Sequence, residues 1–238
     1  MPWPTCEEGY QRRKLTLFAS QVVNDFKNIP SLSGGGILEA VARFKGRWWF
    51  CNHWLPPEMV LNFKEGDANI DWYDANTHLS VGTTPGSWAA LVKWVLGGSW
   101  DRKRYFSLLV LLSASPNQIV HLLSGTTEDP TASNNPSRHI GFKAVGNNLY
   151  GTVGNGSTEA TLLLETLPEG GGFRWLECVL IPGEECRFYV DGVDKGAITT
   201  NLPTGGHEAS ALFLATLSIT QTDLVGMDVY EVRVFQEE

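Results

Sequence analysis

Between residues 173 and 191 apolar side chains recur at every second position on both sides of a Pro182-Gly183 break, a pattern that fits an antiparallel hairpin with one buried face. If residue 180 pairs with 184, then Leu176, Cys178, Leu180, Cys186, Phe188 and Val190 share that face, with Leu176 opposite Phe188 and Cys178 opposite Cys186. A slip of one residue would bring Glu177 onto the same face and bury an unpaired carboxylate, which costs several kcal/mol. The turn type stays open in this register, because Pro182 would fall where a type I turn accommodates proline poorly. The two thiols, set opposite one another, form a candidate disulfide, Cys178 to Cys186; two reduced, buried cysteines are the favoured alternative in a reducing cytosol. Cys6 and Cys51 are scattered, and no Cys-x-x-Cys points to zinc or redox chemistry.

The same period runs through the rest of the last 130 or so residues. Apolar runs at 107–113 and 119–123, joined by Ser115, Pro116 and Asn117, read as one hairpin. A polar stretch at 125–137 reads as an exposed loop. Ile140, Phe142 and Ala144 alternate up to a Gly146-Asn147-Asn148 turn into Leu149, Gly151 and Val153. Residues 211–217 suit a strand covered on both faces. At 230–234, Tyr230, Val232 and Val234 should face inward and Glu231 and Arg233 outward. In the first half, Gly34 to Gly36 introduce a strand at 37–44 with Leu38, Ala40, Ala42 and Phe44 on one face. Residues 87–98 fit a short helix, with Trp88, Leu91, Val92 and Val95 at helical spacing, Ser87 as cap and Gly97 as terminator. As a strand, Trp88, Ala90, Val92, Trp94 and Leu96 would share a face instead. Strands at regular spacing without alternating helices exclude the α/β classes and leave a sandwich or barrel.

The length of 238 residues and a hydrophobic content of 42% allow one domain with a sizeable core, 1–238. Within it, 1–34 reads as an N-terminal arm and first strand, and 46–105 as a tryptophan-rich insertion or interface region. No apolar run reaches membrane-spanning length, and the first residues lack the basic and apolar segments of a secretory signal, so neither a transmembrane segment nor a signal peptide is expected. A net charge of −8 argues against nucleic acid as a partner.

The stretch 174–192, ending Phe188-Tyr189-Val190-Asp191-Gly192 and followed by Ile198 to Pro203, resembles a recurrent hairpin of the concanavalin A-like and laminin G-like families. Ile140, Gly141 and Phe142 ahead of it and the closing strand at 229–235 match the usual order. The resemblance implies a two-sheet antiparallel jelly-roll sandwich with at most one or two short helices. It implies little about activity, since sites are grafted on such scaffolds independently.

Glucanases of this fold carry Glu-x-Asp-x-x-Glu on one strand, and that motif is absent here. Glu65, Asp67, Asp71 and Asp74 have another spacing. Alginate lyases of this fold place Gln-Ile-His on one strand and a Phe-Lys-Ala segment ending in Tyr on another. Here Gln118 and His121 are three apart and so on opposite faces, and Tyr150 lies beyond the Gly146 turn from Phe142, Lys143 and Ala144. His121 is therefore read as structural, and no catalytic residue is assigned. Asp67, Asn69 and Asp71 open like a calcium loop, but Trp72 and His78 stand where glycine and glutamate are required. No cofactor or metal is assigned, structural calcium being left open.

Seven of the nine tryptophans, Trp48, Trp49, Trp54, Trp72, Trp88, Trp94 and Trp100, fall within 48–100. Indoles stack on sugars or anchor interfaces, and adjacent Trp48 and Trp49 should point to opposite faces of a strand, which makes this set the ligand or interface candidates. The favoured reading is a non-catalytic structural or recognition protein that self-associates as a homo-oligomer or binds capsid proteins. Resemblance to lectin-like domains of phage structural proteins implies a virion component, a capsid decoration or fibre protein made in the host cytoplasm. A glycan-binding module is the second reading, and a polysaccharide lyase or glycoside hydrolase the third.

Overall fold

The computed structural model describes residues 46–52, 61–73, 76–126, 138–220 and 224–237. The chain divides into two units, Met1–Lys45 and Gly46–Glu238, and every described residue belongs to the second. The expected arm at 1–34, the strand at 37–44, Trp54 and most of the loop at 125–137 lie outside the described residues.

Among the described residues, fifteen strands form two antiparallel sheets. The larger sheet holds β1 (Gly46–Asn52), β3 (Asn69–Trp72), β4 (Thr77–Val81), β6 (Arg104–Leu112), β11 (Gly172–Ile181), β12 (Glu185–Val190), β13 (Val193–Ile198) and β15 (Val225–Glu237). Its order is β13-β12-β11-β6-β15-β4-β3, and β1 also pairs with β15. The smaller sheet holds β2 (Leu61–Glu65), β5 (Trp88–Ser99), β7 (Gln118–Thr126), β8 (Arg138–Val145), β9 (Asn148–Asn155), β10 (Glu159–Thr166) and β14 (Gly206–Ile219), in the order β10-β9-β8-β7-β14-β5-β2. Among the described residues there is no helix. On one flank of β15 lies β6; on the other, β4 pairs along 225–229 and β1 along 232–237, two short strands end to end.

The core lies between the sheets, where one face of each is apolar. Phe106, Leu108, Val110 and Leu112 of β6 and Leu176, Cys178 and Leu180 of β11 meet Val120 and Leu122 of β7 and Ile140, Phe142 and Ala144 of β8, all fully or almost fully buried. Phe188 and Phe142 meet edge to face across the gap, ring centroids 5.7 Å apart. Gly151 makes room for this contact, since a Cβ there would lie 2.6 Å from the Phe188 ring.

Four expectations need correction. Residues 87–98 are strand β5, not a helix: it runs between β14 and β2, and Ala89, Ala90, Leu91 and Val92 are all buried, so its nearly continuous apolar run reflects cover on both faces. β6 and β7 are not a hairpin, because they sit in opposite sheets and the Ser115-Pro116-Asn117 link arches over the edge of the core. Both bury one face in that core, so their patterns alone resemble those of paired strands. The β11–β12 hairpin keeps the expected face but is shifted by two residues, with Leu176 opposite Val190, Cys178 opposite Phe188 and Leu180 opposite Cys186. Pro182 and Gly183, with φ of 72° at Gly183 and Glu184 N–H donating to the Ile181 carbonyl, then take the two central places of a type II turn, which suits proline followed by glycine. The thiols are diagonal neighbours, free and buried rather than joined. Finally, a bulge between Val229 and Glu231 takes Tyr230 out of the alternation, so that Val229 and Val232 flank it in the core.

Candidate recognition face

The pairing of β11, β6 and β15 sets their outward residues in cross-strand rows on the side of the larger sheet away from the core. Phe173, Leu111 and Asp228 make one row, Trp175, Leu109 and Glu231 the next, and Glu177, Ser107 and Arg233 a third. Tyr105 follows, opposite Val179.

Exposure falls steeply along this face. Phe173 is 54% exposed, whereas Glu177, Glu231 and Arg233 are 9%, 4% and 5%. At the open end Phe173 and Tyr230, the bulge residue, pack with ring centroids 5.2 Å apart and planes inclined at 52°. Asp228 lies beside them, its Oδ1 accepting from Asn76 Nδ2 at 2.7 Å and meeting His78 Nδ1 at 2.8 Å. Burial and the Asp228 charge together hold the Tyr230 hydroxyl above its ordinary pKa. Tyr73, 52% exposed, extends the aromatic rim, its ring 6.5 Å from that of His78.

At the buried end each charge is engaged. Arg233 Nε donates to Glu231 Oε1, and the guanidinium lies 4.7 Å from the centroid of the Trp175 ring. Tyr105 donates its hydroxyl to Glu177 Oε1, and burial, reinforced by the Glu177 charge, pushes the phenol pKa far up. Trp175 is held from behind: its N–H donates to Asp191 Oδ1 at 2.8 Å, and its carbonyl accepts from the Asp191 N–H at 2.8 Å. Asp191, at φ 51°, and Gly192, at φ 76°, form the tight turn from β12 into β13. Glu231 and Arg233, read from the sequence as solvent-facing, are therefore a buried ion pair. Their alternation with valines was visible, but the cover on their side was not.

The described tryptophans stand on strands of both sheets and at the end of β5. Trp48 pairs with Phe235 in β1, and the register shifts between Trp48 and Phe50. Trp72 of β3 is half-buried against the core. Trp88 of β5 donates Nε1 to Glu65 Oε2 at 3.0 Å, and Trp94 is a strand residue opposite Ala211. Trp100 is fully buried under the Arg104 guanidinium, 3.9 Å from its ring centroid. Arg104 itself donates to Gln236 Oε1 at 2.8 Å, and burial lowers its pKa to about 9.

Of the acidic set, Asp74 lies outside the described residues and Asp67 is bonded within the fold. Asp67 accepts from Ser87 Oγ at 2.6 Å and from the Thr83 and Thr84 N–H groups, bonds that hold its pKa near 2. Asn69 donates to Asp71 Oδ2 at 2.8 Å. Among the described residues no group of three or more His, Cys, Asp or Glu side chains is placed to hold a metal. Gln118 Nε2 staples two loops, donating to the carbonyls of Ser113 and Gly146.

A second polar cluster sits on the outer side of the smaller sheet. His121, Lys143 and Tyr150 are directly opposite one another on β7, β8 and β9. The Gly146-Asn147 turn thus brings Tyr150 back beside Lys143, which sequence reasoning had set aside. Lys143 pairs with Glu159 at 3.2 Å, Thr152 donates to Glu159 at 2.6 Å, and His139 Nε2 lies 3.0 Å from Thr152 Oγ1. Burial lowers the His121 pKa to about 4, and bonds from His139 and Thr152 hold Glu159 near 2.

No family model and no curated protein matches this sequence. Solved structures do. A Bacillus licheniformis β-glucanase superposes with a TM-score of 0.54 at 14% identity, covering 82% of this chain and 99% of its own. SCLam, a non-specific endo-β-1,3(4)-glucanase of family GH16, gives a TM-score of 0.57 at 11% identity, covering 81% and 92%. Botulinum neurotoxin type C gives 0.50 at 10% identity over 75% of this chain and 43% of its own, so this chain spans less than half of that protein. The fold is a jelly-roll sandwich. At these identities the likeness is one of architecture. Among the described residues, no helix of this jelly roll is long and apolar enough to cross a membrane.

Proposed function

We propose that this jelly roll is a non-catalytic recognition domain whose ligand is a glycan, held on the outer face of the larger sheet. The observation that carries the reading is the face built by Phe173, Trp175 and Tyr230, where aromatic surface and planar hydrogen-bonding groups stand together on rigid strands. Sugars are bound in this way: apolar C–H faces stack on rings while carboxylates and guanidinium groups take the hydroxyls. Proteins sharing the architecture work on carbohydrate, two as glucanases, and botulinum neurotoxin type C depends on two ganglioside molecules for cell entry.

A binding role is favoured over hydrolysis by the state of the carboxylates. Glu177 and Glu231 are bonded to Tyr105 and Arg233 and are almost wholly buried, so neither carboxylate is presented to a sugar as acid or base. Titration calorimetry against laminarihexaose, cellohexaose and lacto-N-neotetraose tests the reading. Binding of at least one, lost in Phe173→Ala and weakened in Trp175→Ala, is expected. Turnover of any of them would transfer the protein to the enzymes, and no binding across a wider glycan array would remove the proposal.

Assembly on a virion is a separate proposal, carried by resemblance alone. Light scattering after size exclusion tests its self-association, and a strict monomer counts against it.

A further inference from the structure

We infer that the open end of this face selects neutral sugars and rejects anionic ones, an inference that rests on the glycan reading above. The stacking surface is the inclined Phe173–Tyr230 pair, whose Phe173 ring is more than half exposed. The polar group beside it is Asp228, in the same cross-strand row as Phe173 with only Leu111 between. Its Oδ1 takes both described bonds, from Asn76 and His78, which leaves Oδ2 free among the described residues to accept from a ligand. A carboxylate oxygen beside an aromatic ring suits a pyranose that stacks one face and donates hydroxyls from its edge.

The charges set the sign of the selection. Along the three rows the carboxylates are Asp228, Glu231 and Glu177; the one described arginine or lysine is Arg233, and His78, which continues the first row beyond Asp228, has its Nδ1 engaged by Asp228 Oδ1. That guanidinium is bonded to Glu231 and lies over Trp175, so it is not presented at the open end. An anionic sugar stacking on Phe173 would bring its carboxylate against Asp228 with no described arginine or lysine of these rows to receive it, whereas like charges brought together across a binding surface are strongly disfavoured. A whole-chain charge of −8 acts in the same direction.

The test is calorimetry with a matched pair, lacto-N-neotetraose and its terminally sialylated form, on wild type, Asp228→Asn and Phe173→Ala. Wild type should bind the neutral sugar at least about tenfold more tightly than the sialylated one. Asp228→Asn should weaken the neutral sugar about tenfold and narrow the gap between the two. Phe173→Ala, an exposed position whose fold is checked by its melting curve, should abolish both. Equal or tighter binding of the sialylated form by wild type overturns the selection while leaving glycan binding intact. A neutral-sugar affinity unchanged in Asp228→Asn overturns the role of Asp228. Laminarihexaose and cellohexaose run alongside: if both lactosamine sugars fail, whether or not these two bind, the selection is overturned, and a blank wider glycan array removes the glycan reading with it.

Discussion

Arg233 and Glu231 sit two residues apart on β15, almost wholly buried, with the guanidinium against Trp175. Charges taken out of water are tolerated because each answers the other, so removing one takes from the second its charge-assisted partner at this site. Arg233→Met should therefore destabilise the protein by about 3–5 kcal/mol, whereas the double variant Glu231→Gln, Arg233→Met should recover much of the loss. Urea denaturation of the three proteins checks this. At Cys178 burial pushes the thiol pKa well up, with Cys186 beside it. Peptide mapping should find Cys178 and Cys186 unmodified after iodoacetamide at pH 8 in the native protein and alkylated once denaturant is added.

The hairpin of β8 and β9 shows how an element is fixed by its turn and its packing together. Gly146, at φ 58°, opens a two-residue turn, and Val145 pairs with Asn148 across it. Five residues on from Gly146, Gly151 lies under the Phe188 ring of the opposite sheet. Gly151→Ala should cost about 1–3 kcal/mol through overpacking, read as a lower melting temperature with an unchanged far-ultraviolet spectrum. This hairpin was legible in the sequence because its signals are local. So was the buried face of β11 and β12, where parity alone decides which residues go inside. Its register was not, since a shift of two preserves parity and only the turn chemistry of Pro182 and Gly183 distinguishes the choices. Which sheet a strand joins was equally hidden: β6 and β7 carry the same alternation yet stand on opposite sides of the core. The candidate face depends on such non-local choices, and on a bulge that no residue in Tyr230-Glu231 announces. The described tryptophans, conspicuous by number, are divided between strands of the two sheets by the same topology.

At the level of the whole molecule, acid should act first through the smaller sheet. His121 has its pKa lowered from 6.5 to about 4, so the unfolded chain binds a proton that the folded one refuses, and stability should fall as pH drops from 6.5 towards 4. Glu159, lowered to about 2, adds a loss between about 4.5 and 2, where its folded form stays ionised and the unfolded form is protonated. Urea midpoints between pH 7 and 4 should show this slope in wild type and a flatter one in His121→Gln. Sheet order has a further consequence for how the chain reaches its native state. The segment at 225–237 is laid down centrally, with β6 on one flank and both β1 and β4 on the other. Pairing that joins Gly46 to Glu237 is the most non-local that the described residues allow, which places folding among the slow, topology-limited cases. Until that segment is synthesised and inserted, β6 and β4 offer bare hydrogen-bonding edges to any neighbour. A shortened chain lacking it would be expected to aggregate rather than fray, because what it has lost is the middle of the sheet.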